Sequence, residues 1–201
     1  SFKGVIMYKK QMTFQNIICY FALFVGVVFF IYSLGIMTDL YDCLYSTMMN
    51  PSDLTETTVS GSIVYYNMQP FNKSFLISAI VMILLSVFLF VTQTNKRRKY
   101  YVGNYVAVAL FVIFALYLVI WSHIEIEKFK GQWLSLDFDA LKMHAKMFNQ
   151  KYTESTFWFD VHYIVSFLAL VSCALNIYNV IWKRKLMKEE ERLIKEGERH
   201  E

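Results

Sequence analysis

Four stretches of 20 or more residues in this chain contain no Asp, Glu, Lys or Arg. A helix crossing the hydrocarbon layer of a bilayer, roughly 30 Å thick, needs about 20 such residues. The distribution decides the class more firmly than the 56% hydrophobic content does. A soluble domain of the same composition would spread its apolar residues over amphipathic segments. The expected fold is therefore an all-α integral membrane protein with four transmembrane helices, over about 14–37, 75–93, 102–122 and 157–182. The first run is longer than the roughly 7–15 residues of a signal-peptide core, so it is read as a retained span. Residues 1–182 then form one transmembrane domain, and 183–201 a charged tail.

Between the second and third spans lies Thr94-Asn95-Lys96-Arg97-Arg98-Lys99-Tyr100-Tyr101, with four consecutive positive charges. A short basic loop between two spans favours the cytoplasmic side. With that loop inside, the N-terminus, the basic loop and the tail together hold 14 of the 20 Lys and Arg residues. Both termini are thus expected in the cytoplasm, in a plasma or inner membrane. Orientation accounts for the net charge of +4, which is not read as a nucleic-acid footprint.

The first outer loop runs from Thr38 to Ser74. Within it, Thr57 to Tyr66 is rich in β-branched and aromatic residues around Ser60-Gly61, which predicts a small β-hairpin. Asn72-Lys73-Ser74 matches the glycosylation acceptor pattern where the loop meets the second span. In the second outer loop, Asp137 caps an amphipathic helix with Phe138, Leu141, Ala145 and Phe148 on one face. That helix is expected along the membrane surface or across the mouths of the spans. In the tail, Glu191 and Lys195 stand one turn apart and favour a continued helix.

Small residues recur at helical spacing: Ala22, Gly26 and Ser33 on the first span, Gly103 and Ala107 on the third, Ser166, Ala169, Cys173 and Asn176 on the fourth. Such faces let helices approach closely and are the candidate partner contacts. No ionisable group is expected at mid-depth in any span, which argues against proton-coupled pumps and voltage sensors. No phosphate loop, nucleophile elbow or Cys-x-x-Cys pair appears, so neither catalysis nor a cofactor is assigned. No metal centre is assigned either. The residues that would hold one are His123, which ends the third span, and His162 and Asp160, which open the fourth. Glu125, Glu127 and His144 lie nearby in sequence. Two facing imidazoles could also hold a haem. Water solvates such groups at a membrane boundary without special reason, no HExxH motif marks a site, and no i, i+4 pair of ligands is picked out. Cys43 stands alone outside, so no disulfide staples the outer loops.

Four spans, cytoplasmic ends, a β-containing first outer loop and a shorter helical second one form a layout that resembles the claudin-like tetraspan proteins. The Trp-Gly-Leu-Trp type motif and cysteine pair of that family's first loop are missing, and only Cys43 stands there. The resemblance implies an accessory role. The expected function is a non-catalytic subunit of a larger membrane complex, such as a transporter or channel, whose partners are other membrane protein subunits and the lipid bilayer. The alternatives are a small oligomeric transporter or channel, and a membrane redox or metal protein using the outer histidines.

Overall fold

The computed structural model describes the backbone of residues 2–45, 61–93, 101–147, 149 and 151–197. Side chains are described for 7–35, 61, 64, 66–93, 102–143, 145–147, 149 and 151–197. The helices are α1 (Phe2–Tyr45), α2 (Ser62–Gln93), α3 (Tyr101–Leu134), α4 (Phe138–Met147) and α5 (Phe157–Gly197). There is no strand among the described residues. Four helices carry a segment long and apolar enough to cross a membrane: Met7–Gly35, Tyr66–Gln93, Val102–Leu134 and Phe157–Gly197. The chain is a multi-pass integral membrane protein. The basic stretch at 94–100 lies outside the described residues, as does the side chain of Cys43.

The helices overrun the expected spans. α2 has 32 residues, so at 1.5 Å per residue it is about 48 Å long, well beyond the hydrocarbon layer. The hairpin expected over 57–66 is not formed in its second half. Gly61 turns the chain at φ 106°, and Ser62 to Tyr66 are the first turns of α2. β-propensity is weak and dependent on context. Helix propagation from an established ladder adds one bond per residue and overrides it here. Residues 57–60 lie outside the described set. Asn72 also falls inside α2 and is 1% exposed, so its acceptor pattern has no access for a glycan. α3 continues past the expected end at Ser122 because Ile126, Phe129 and Trp133 keep a helical apolar period and are buried. α5 runs unbroken from the fourth span into the charged tail.

The chain divides into two compact units built from segments of the same helices. One comprises 1–26, 82–116 and 168–201. In it α1 and α2 approach closely: a Cβ on Gly26 would lie 3.2 Å from the Ile83 backbone nitrogen. Beside that crossing, the Ser86 hydroxyl donates to the Ala22 carbonyl at 3.0 Å.

The other unit comprises 27–81 and 117–167. Its core is aromatic. Phe71 stacks on Phe75 and meets Trp121 and Phe129, with ring centroids 5.2–5.5 Å apart. α4 belongs to this unit and forms where expected, although Phe148 of the expected face lies outside the described residues. Asp137 Oδ1 accepts from the Ala140 backbone nitrogen at 3.0 Å, an N-cap bond. Leu141 and Ala145 are buried, and Phe138 meets Trp133 edge-on. The Tyr152 hydroxyl donates to the Phe138 carbonyl and ties the following segment back to the helix.

Candidate functional site

His123 and Glu127 are one turn apart on α3 and therefore share a face. Ile126, Phe129 and Trp133 anchor the adjacent face in the aromatic core. His162 lies in the second turn of α5, held by buried Phe159, which packs on Trp133. The start of α5 is well defined. The Thr156 carbonyl accepts from the Phe159 and Asp160 nitrogens, and the Ser155 hydroxyl accepts from Phe157. Two helices thereby converge on one point. His123 Nδ1 and His162 Nε2 are 2.9 Å apart, His162 Nε2 and Glu127 Oε1 are 3.9 Å apart, and all three ligand atoms lie within 4.8 Å of one another.

The surroundings fix the chemistry of each group. His162 Nδ1 meets the Phe159 carbonyl. A carbonyl only accepts, so Nδ1 carries the proton and Nε2 presents its lone pair. The Tyr163 hydroxyl donates to Glu127 Oε1 at 2.6 Å and orients the carboxylate. His162 is 2% exposed, whereas His123 is open to the surroundings and Glu127 is intermediate.

Asp160, the carboxylate expected beside the histidines, is engaged elsewhere. One of its oxygens pairs with Lys130 Nζ at 2.5 Å, and the other accepts from the Thr156 hydroxyl at 2.6 Å. Glu127 takes its place, and the i, i+4 spacing of His123 and Glu127 is the sequence signal that marks it. Glu125 instead faces Lys128. The side chain of His144 lies outside the described set. A haem between the two imidazoles does not fit. Axial ligands stand on opposite faces of a porphyrin, and ring centroids 5.2 Å apart leave no room for one.

A second polar cluster occupies the other unit, where Asn179 of the fourth span makes hydrogen bonds to another helix. Gln11 Nε2 donates to Asn179 Oδ1 at 2.9 Å and to Gln15 Oε1 at 3.0 Å, and Asn179 Nδ2 reaches Gln15. The Cys19 thiol donates to Gln93 Oε1 at 3.3 Å. Lys183, the first charge of the tail in sequence, is 3% exposed and donates to Asn104 Oδ1 at 3.3 Å. Asn104 in turn donates to Thr92. Amides spaced at helical intervals inside otherwise apolar runs were the available signal.

Among the candidate partner contacts, Ala22, Gly26, Ala107, Ala169, Cys173 and Asn176 pack inside the first unit, and Ser33 is buried in the second. Asn176 Nδ2 donates to the Ser172 carbonyl of its own helix. Ser166 is partly buried and Gly103 is exposed.

Comparison with protein families, curated proteins and solved structures finds no match. The reading of this chain therefore rests on its own geometry.

Proposed function

We propose that the chain is a non-catalytic subunit of a larger membrane assembly, acting through contacts at α4. The distribution of Lys and Arg supports a topology with both termini in the cytoplasm, which would set α4 on the outer side of a plasma or inner membrane. The observation that carries the reading is the second apolar face of α4. Leu141 and Ala145 are consumed by the core, yet Met143 and Met147 stand 64% and 68% exposed, one turn apart. This helix lies outside the four apolar segments, so spanning a bilayer does not account for its methionines. Methionine is flexible and polarisable, and it suits adaptable protein contacts. Exposed Lys142 and Lys146 flank the pair, so the matching surface is apolar with an acidic rim.

The test is a photo-crosslinking amino acid placed at position 143 and activated in native membranes. The expected product is a single adduct with one other membrane protein chain. Adducts confined to lipid would reject the reading in favour of a helix lying on the membrane. Adducts with a second copy of this chain would favour the oligomeric transporter instead.

A further inference from the structure

Three potential ligand atoms converge in the cluster of His123, Glu127 and His162, all within 4.8 Å of one another. His162 Nε2 accepts from His123 Nδ1 at 2.9 Å and lies 3.9 Å from Glu127 Oε1. A cation that displaces the His123 proton would be ligated by all three.

We propose that His123, Glu127 and His162 bind a divalent transition-metal ion, with zinc the best-fitting choice. Two imidazoles and one carboxylate form a borderline nitrogen–oxygen donor set, which suits zinc over calcium or magnesium. Metal–ligand bonds of about 2.0–2.2 Å put neighbouring donors of a tetrahedral site roughly 3.4 Å apart. Two observed separations, 2.9 and 3.9 Å, bracket that value, and the third lies within 4.8 Å, so side-chain adjustments complete the site. On binding, His123 Nδ1 gives its proton to Nε2 on the exposed edge of the ring.

The outer partners that metal ligands need are already in place. A ligating histidine donates its other N–H to a carbonyl or carboxylate, and a ligating carboxylate is itself hydrogen-bonded. His162 meets the first condition through the Phe159 carbonyl, and Glu127 meets the second through the Tyr163 hydroxyl. Lys130, the nearby cation, is neutralised by Asp160 and does not oppose a metal charge. Three protein donors leave one position of a tetrahedral ion for water or an outside ligand. The ion would also tie α3 to α5 across the 135–156 connection that carries α4.

The test uses the full chain in mild detergent, stripped with a chelator and then equilibrated with Zn²⁺ or Co²⁺. The wild type is expected to bind one ion per chain, and Co²⁺ to give the intense visible band of a four-coordinate site. His123→Ala and Glu127→Gln are expected to weaken zinc binding by at least about tenfold, and Tyr163→Phe by a similar order. Asp160→Asn is expected to bind as the wild type does. The histidine and glutamate variants alter exposed or half-exposed positions, so their folding is checked by thermal unfolding without metal. A wild type that takes up no zinc overturns the proposal, as does equal affinity in His123→Ala and Glu127→Gln. Neither result bears on the contact role of α4, which is read out by crosslinking and co-purification.

Discussion

His123 Nδ1 and His162 Nε2 meet at 2.9 Å although the residues are 39 positions apart in the chain. The two rings are not equivalent. His162 is buried and satisfied on both nitrogens, whereas His123 is exposed. His162→Ala should therefore remove the side-chain bond to the Phe159 carbonyl, leave His123 without its partner and open a cavity, costing about 2 kcal/mol. His123→Ala opens no cavity but removes the donor to the buried His162 Nε2, and should cost about 1 kcal/mol in the absence of metal. Chemical unfolding of the two variants in detergent, with chelator present, checks the difference.

Gly26 is a position where the backbone needs the smallest side chain. The atoms nearest an added Cβ include the Ile83 nitrogen and Cα, at 3.2 and 3.3 Å, and backbone cannot swing aside as a flexible side chain can. Gly26→Leu should separate α1 from α2 and lose the Ser86–Ala22 hydrogen bond. The expected loss is about 2–3 kcal/mol, the range for overpacking a tight site. A smaller loss for Gly26→Ala, in the same unfolding assay, would fit partial accommodation.

Gly35 faces the Trp158 ring, which an added Cβ would approach to 2.5 Å. The Tyr32 hydroxyl donates to the Trp158 carbonyl at 2.7 Å, so displacing the ring disturbs that bond as well. Gly35→Ala is expected to shift the tryptophan emission of the folded protein and lower its melting temperature. Trp158→Phe in the Gly35→Ala background should restore part of the stability, since the smaller ring leaves room.

Asn179 joins Gln11 and Gln15 in one buried amide cluster. Asn179→Leu removes the acceptor for Gln11 and the donor for Gln15 together. Hydrogen bonds between membrane helices contribute roughly 0.6 kcal/mol on average. Losing two of them should cost about 1 kcal/mol in a denaturant titration. A double-mutant cycle with Gln11→Leu should show coupling, because both variants delete the same bond.

The four spans were legible because each apolar run exceeds what a soluble helix needs, and the cap at Asp137 with its helix was legible from local chemistry. The helix ends were not. His123 to Trp133 mixes charges into an apolar period, and polarity alone reads it as loop, although Ile126, Phe129 and Trp133 bury one face. The departure from the expected hairpin at Ser62 to Tyr66 has the same origin, since local propensity yielded to a helix growing from its neighbour. For the site, histidines at two span ends were visible, but their pairing depends on how α3 and α5 meet. The choice between Asp160 and Glu127 was set by Lys130 and Thr156, which bond Asp160 in space. Lys183 was read as tail because it begins a charged run, while its burial depends on Asn104 from another helix.

The contact role is tested most directly by purifying the tagged full chain in mild detergent and weighing the intact complex by native mass spectrometry. The expected result is an unrelated membrane chain in fixed stoichiometric ratio, lost in the Met143→Glu/Met147→Glu double variant while the four-helix fold persists. A wild-type chain that emerges alone, or only with copies of itself, would contradict it.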